Sequence, residues 1–171
     1  MSRIRISLIT IAGLFACAAP DHTTGPSLAS GSQKAVSRPL SGRCTTVVTR
    51  LAPPPIEVQR IEYTCRISHL GLTHAVVTQT VNTVTGALSN SGVYVAANGD
   101  QLSSNFSGEA VLSFTDPTDA SVTFSGTQGF SAGTGRFVDA EGEADLVGSV
   151  HINLITGDGT GEFTLDGALT Y

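Results

Sequence analysis

The sequence predicts an all-β domain of about eight strands. Three observations point that way. Thr- and Val-rich stretches with a two-residue alternation fill the chain from Cys44 to Tyr171. Turn-forming pairs such as Asn98-Gly99 and Asp116-Pro117 divide those stretches at short intervals. No segment after the apolar leader carries a long helical period, and the abundant Gly and Thr disfavour helix. A closed barrel and a two-sheet sandwich both satisfy this pattern, because either closes one core from a chain of this size.

The 171-residue chain opens on Arg3 and Arg5, followed by an apolar run of ten residues from Ile6 to Phe15. Such a run is too short for a mature membrane-spanning helix and fits a signal peptide over residues 1–16. Leu14, Ala16 and Cys17 then resemble the lipobox of bacterial lipoproteins. That resemblance implies that Cys17 is lipidated (palmitate being one such acyl group) and becomes the mature N-terminus, with simple secretion as the alternative. Each buried methylene of the acyl chains adds about 0.8 kcal/mol of membrane affinity. Ala18, with no aspartate beside the anchor, resembles outer-membrane sorting. Residues 17–43 are rich in Ser, Gly, Pro and Ala without an apolar period, and read as a flexible tether. One β domain then occupies residues 44–171.

Within that domain, residues 44–50 read CTTVVTR, a strand composition. Pro53 to Pro55 interrupt it, since proline cannot donate to a central ladder. Alternation resumes in VQRIEYTCRI, which puts Ile61, Tyr63, Cys65 and Ile67 on one face and Arg60, Glu62, Thr64 and Arg66 on the other. LTHAVVTQTVNTV is almost all β-formers. NSGVYVAANGD and QLSSNFSGEAVLSFTD follow, joined through Asn98-Gly99. SVTFSGT places Val122 beside Phe124 in phase, and EGEADLVGSVHINL ends in the turn Thr156–Gly159. The last stretch, GEFTLDGALTY, puts Phe163, Leu165, Leu169 and Tyr171 on one face.

The three cysteines support export. With Cys17 given to lipid, Cys44 and Cys65 remain as a pair. A disulfide between them closes a loop worth roughly 3 kcal/mol in the chain-entropy account; two reduced, buried cysteines are the alternative. The net charge is −5, and losing Arg3 and Arg5 with the leader takes it to −7. A chain so acidic, with Lys34 as its single lysine, has no basic stripe for nucleic acid.

Residues 133–144, GTGRFVDAEGEA, resemble the GGTGRF-x-x-A-x-G segment of the allene oxide cyclase and dirigent barrel superfamily. Gly133, Thr134, Gly135, Arg136, Phe137, Ala140 and Gly142 match, while Ala132 replaces the first glycine. SHLG at residues 68–71, AANGDQL with FSGEA, and the closing FTLDGALTY resemble further segments of the bacterial, secreted members. The resemblance spans residues 57–171. It implies an eight-stranded antiparallel β-barrel with an apolar interior. Plant allene oxide cyclases isomerise an unstable fatty-acid epoxide, and dirigent proteins steer phenoxy-radical coupling. Neither group's catalytic acids map onto this chain, so catalytic residues stay unassigned and the motif speaks to fold more than to chemistry.

The glycine-rich segment itself reads as a structural turn. A dinucleotide fingerprint needs a helix after the glycines, and EGEADLVGSV reads as strand. Gly133 and Gly135 permit a sharp corner, Phe137 plugs the core, and Arg136 reaches nearby carbonyls or an acid at the rim. Asp139, Glu141, Glu143 and Asp145 share one face of an extended strand, which suits solvent; no calcium-loop pattern is present and no metal is expected. His69, His74 and His151 lack metal-ligand spacing, and no nucleophile elbow is expected among the serines. Glu62, Glu109 and Asp166 lie on the polar phase, which argues against a buried general acid.

A lined cavity is the remaining candidate site. Tyr63, Phe106, Phe114, Phe124, Phe163 and Tyr171 are expected to line or fill it, together with Phe137. The functional expectation is an exported, lipid-anchored module of the cell envelope, secreted or periplasmic if the lipid is absent. It binds a small hydrophobic ligand without catalysis or serves as a surface module, and it needs no cofactor. An isomerase or cyclase related to allene oxide cyclase is one alternative, and a protein-interaction module with a filled barrel is another. Its partners are the small ligand and the bilayer reached through the N-terminal lipid, with homo-oligomers open.

Overall fold

A computed structural model describes residues 35–171. The leader, Cys17 and the tether up to residue 34 lie outside the described residues. The rest forms β1 (Ser37–Ala52), β2 (Ile56–Ile67), β3 (Gly71–Asn82), β4 (Ala87–Val95), β5 (Gln101–Phe114), β6 (Asp119–Gly133), β7 (Glu141–Asn153) and β8 (Gly159–Thr170), with one 3-10 turn at Gly135–Phe137. Each strand pairs antiparallel with its neighbours in chain order, and β8 returns to β1, so the sheet is a closed barrel. Closure leaves no edge to protect, and it excludes the sandwich that the alternation alone allowed.

The two-residue alternation sorts side chains between core and solvent. On β2, Ile61, Tyr63, Cys65 and Ile67 point inward and Arg60, Glu62, Thr64 and Arg66 outward, as the pattern requires. Cys44 and Cys65 sit directly opposite each other in the β1–β2 register, both buried, and form the disulfide.

The domain boundary differs from the sequence expectation. Ser37 to Arg43, assigned above to the tether, form the first half of β1 and pair with β8 from Thr170 to Thr164. Closing the ring gives β8 a partner that only this segment can supply, and Leu40 is fully buried by it. Pro39 is tolerated because pairing with β2 begins only at Gly42.

The two ends of the barrel differ. One end carries the turns 68–70, 96–100 and 134–140, and it is plugged. Phe137 is fully buried there beside Leu40, Leu70, Leu102 and Leu169, with its ring 5.1 Å from that of Tyr171. The turns are tied together: the Arg136 guanidinium donates to the carbonyl of His69, Arg136 Nε lies 3.8 Å from Asp100 Oδ2, and Thr134 Oγ1 accepts from the Gln101 amide at 2.9 Å. Gly135 has φ +57°, and a side chain on Gly133 would run into the Gln101 carbonyl. At Gly142 a Cβ would meet the Ala168 carbonyl. The GTGRF segment is therefore a cross-braced floor, as expected of a structural motif. At the other end, the loops 53–55, 83–86, 115–118 and 154–158 surround an open mouth.

Candidate functional site: a two-sided cavity

A cavity of about 260 Å³ opens between those four loops and runs down the barrel interior. Its two walls differ in chemistry, one wholly apolar and the other mixed. Strands β5 to β8 and the loop after β7 contribute Phe106, Ala110, Val122, Phe124, Leu146, Val150, Ile152, Leu154 and Phe163, all apolar. Strands β1 to β3 contribute Thr46, Arg50, Glu57, Gln59, Tyr63 and Gln79 beside the aliphatic Val48, Ile61 and Val81, and the polar chain of contacts continues behind the lining to Asn90 on β4.

The polar groups are connected. Arg50 Nε donates to Glu57 Oε1 at 3.1 Å, and Gln59 Nε2 donates to the same oxygen at 2.8 Å. Gln79 Nε2 donates to Gln59 Oε1 at 3.3 Å. Asn90 Nδ2 completes the chain, donating to Gln79 Oε1 at 3.2 Å and to the Tyr63 hydroxyl at 3.3 Å. Glu57 is 5% exposed, so its charge is held by Arg50 rather than by water. Arg50 also reaches the Leu154 carbonyl at 3.4 Å, which links the pair to the rim.

Three buried side-chain atoms lack a partner: Thr46 Oγ1, Asn90 Oδ1 and the Tyr94 hydroxyl. Thr46 lines the cavity; Tyr94 lies deeper, with its ring 6.2 Å from that of Tyr63 and 5.9 Å from that of Phe130. Burial pushes the Tyr63 phenol up to about 12, offset in part by the Asn90 hydrogen bond. Tyr94 is driven further in the same direction by burial and then by the neighbouring Tyr63. Both phenols are thus fixed neutral, as hydrogen-bonding rather than charged groups.

Of the expected lining residues, Tyr63, Phe106, Phe124 and Phe163 line the cavity. The edge of the Phe163 ring faces Tyr63 at 5.1 Å and Phe124 at 6.3 Å. Phe114 and Tyr171 do not line it. Phe114 keeps the inward phase of Phe106 and Ala110, but β5 has by then passed the mouth, and the ring is 72% exposed. Tyr171 lies beyond the end of β8 and stacks on the floor against Phe137 and His69.

Glu57, Gln59, Gln79 and Asn90 are the residues that sequence reasoning missed. Their signal was phase: Gln59 and Glu57 are the next two inward positions before Ile61 on β2. The acids that were considered, Glu62, Glu109 and Asp166, are exposed on the outer wall, and so are Glu141, Glu143 and Asp145, while Asp139 is exposed in the turn before β7 rather than on the strand. His69 Nε2 contacts the Pro39 carbonyl at 3.1 Å, and His74 Nδ1 lies 3.4 Å from Thr64 Oγ1, both away from the cavity. The expectation that the serines form no elbow overlooked one string, Gly129-Phe130-Ser131-Ala132-Gly133, which fits G-x-S-x-G. It lies in extended β6 with Ser131 paired to Ser103, so it makes no strand-to-helix turn. The chain matches no family model, no curated protein and no solved structure, so the two-sided cavity carries the functional argument by itself.

Proposed function

We propose that the barrel binds a small uncharged molecule with an apolar body and a hydrogen-bonding group on one flank. The observation that carries this reading is the confinement of every polar lining side chain except those of the rim to the β1–β3 side, as a hydrogen-bonded cluster facing a wholly apolar β5–β8 wall. The only charges on that polar wall, Arg50 and Glu57, neutralise each other, so neither an anion nor a cation finds a free counter-charge. Thr46 Oγ1 is a buried oxygen of the lining without a partner, and a ligand hydroxyl or amide group that pairs with it relieves that cost. The volume of about 260 Å³ is under twice the ~150 Å³ that accommodates benzene, which limits the ligand to about two fused rings or a comparable alkyl chain. An open cavity also speaks against the filled interaction module.

The test is calorimetry with naphthol, naphthalene and naphthoate. Saturable one-to-one binding of naphthol, weaker binding of naphthalene and none of naphthoate is expected. Thr46→Val removes the preference for the hydroxyl while keeping the hydrocarbon, and Ala110→Trp fills the cavity and removes both. Naphthoate binding as tightly as naphthol, or Ala110→Trp binding like the parent, sinks the reading.

A catalytic reading has one specific support: Glu57 is the buried, cavity-facing carboxylate that an isomerase resembling allene oxide cyclase needs. Turnover of a fatty-acid epoxide that disappears in Glu57→Gln favours it; identical product profiles with and without protein remove it. Export, with anchoring through a lipidated Cys17 at the outer membrane, belongs to the same proposal, and the Cys44–Cys65 disulfide supports an oxidising compartment. Mass analysis of the mature N-terminus tests it: an unacylated Cys17 removes the anchor.

A further inference from the structure

We propose that the mouth of the barrel docks on a zwitterionic lipid surface, inserting the exposed apolar side chains that stand around the cavity opening. The three most exposed large apolar side chains of the described residues are Val84 at 80%, Ile155 at 74% and Phe114 at 72%. All three stand at the mouth, Val84 and Ile155 on loops and Phe114 at the end of β5, and Leu51 and Ile56 flank the 53–55 loop. Fold requirements do not put them there, because the core lies inside the barrel.

Two of the tips come from one turn built twice. Asn82-Thr-Val-Thr-Gly86 and Asn153-Leu-Ile-Thr-Gly157 share the pattern Asn-x-aliphatic-Thr-Gly. In each, the Asn Oδ1 accepts from the tip amide and the next one: Val84 and Thr85 at 3.0 and 3.2 Å, Ile155 and Thr156 both at 3.0 Å. The glycine closes each turn by donating to the Asn carbonyl, at 2.8 and 2.7 Å, with φ of +80° and +79°. The turn satisfies its own backbone and presents the aliphatic tip outward. The two copies, between β3 and β4 and between β7 and β8, lie on opposite sides of the ring.

A lipid surface is the occupant that fits. The tips are separate points around an opening rather than a continuous face, which suits insertion into a fluid interface. The opening leads to the apolar wall, so a membrane-dissolved ligand reaches the cavity without crossing water. The four loops carry no Lys or Arg, whereas Asp116, Asp119 and Asp158 stand exposed at the rim. Those carboxylates match the outward ammonium of zwitterionic headgroups and oppose anionic lipid.

Flotation with phosphatidylcholine–phosphatidylethanolamine vesicles tests this, using the chain from residue 17 onward with Cys17→Ser so that neither the apolar leader nor an acyl chain contributes. The V84S/I155S pair keeps both Asn caps and is expected to weaken vesicle binding at least about tenfold. Adding phosphatidylglycerol weakens binding further. A fluorophore at Val84→Cys is quenched by nitroxide lipids and one at Val138→Cys, on the plugged end, is not. Equal flotation of the parent and V84S/I155S overturns the proposal, as does a change of oligomeric state in V84S/I155S without lipid, which assigns the tips to a second copy. Naphthol binding in solution is read separately: if it persists while flotation fails, the cavity reading stands and the docking does not.

Discussion

Removing Arg50 and removing Glu57 should have very different consequences, although they are two halves of one ion pair. The pair sits at 3.1 Å, with side-chain exposures of 19% for Arg50 and 7% for Glu57. At an effective dielectric of about 20, that separation corresponds to an attraction of about 5 kcal/mol, most of it offset by desolvation of the two ions. Arg50→Leu strands a carboxylate inside the barrel with Gln59 as its remaining donor. We expect a loss of about 3 kcal/mol, the low end for a broken buried pair because the site lies near the mouth. Glu57→Leu strands the more exposed partner, which keeps the Leu154 carbonyl and can turn toward solvent. Its expected cost is about 1 kcal/mol. The R50L/E57L double variant buries neither charge and should return to within about 1 kcal/mol of the parent. Urea unfolding at neutral pH measures all four proteins. Equal costs for the two single variants, adding in the double, would refute the reasoning: the pair would then be two independently solvated side chains.

Two further outcomes follow from the interior. Replacing Cys44 and Cys65 together with Ala should lower stability by roughly 3 kcal/mol, and reductant should lower the melting temperature of the parent but not of that variant. Burial raises the Tyr63 phenol from 10.0 to about 12, so its contribution is intact below about pH 10 and lost as pH rises toward 12, about 3 kcal/mol in total. Tyr63→Phe should therefore lose less stability across that window than the parent, as measured by unfolding at stepped alkaline pH; parallel curves would show that the phenol is already solvated.

The fold was legible because alternation is a strong signal when one face of a sheet is buried. Phe106, Phe124 and Phe163 announced the apolar wall by residue type alone. The polar wall announced nothing, because Gln59, Gln79 and Asn90 look like outward residues until their phase is counted from Ile61, Val77 and Leu88. Phase also misplaced Phe114: periodicity states which face a side chain takes, but not where the barrel ends. The start of β1 was hidden for a related reason. Ser37–Arg43 has tether composition, and its strand conformation follows from the ladder offered by β8, which is remote in sequence. Register across a closing seam is a tertiary property that local pattern does not encode.

The barrel also separates rigidity from recognition along its axis. The floor is braced by Arg136, Asp100 and the His69 carbonyl, with Phe137 buried between turns that belong to three different hairpins. None of Arg136, Asp100, His69 or Phe137 lines the cavity. The residues that do line it come from the upper strands, and their polar members are strung from β1 to β3, so a ligand that engages them bridges three of the eight strands of a closed sheet. Such a sheet resists opening, because no strand moves without breaking two ladders. Exchange of a ligand must then run through the loops at the mouth, where Arg50 reaches across to the Leu154 carbonyl and the apolar tips stand free. Selectivity resides in the fixed wall and access in the rim, and the glycine-rich segment governs neither.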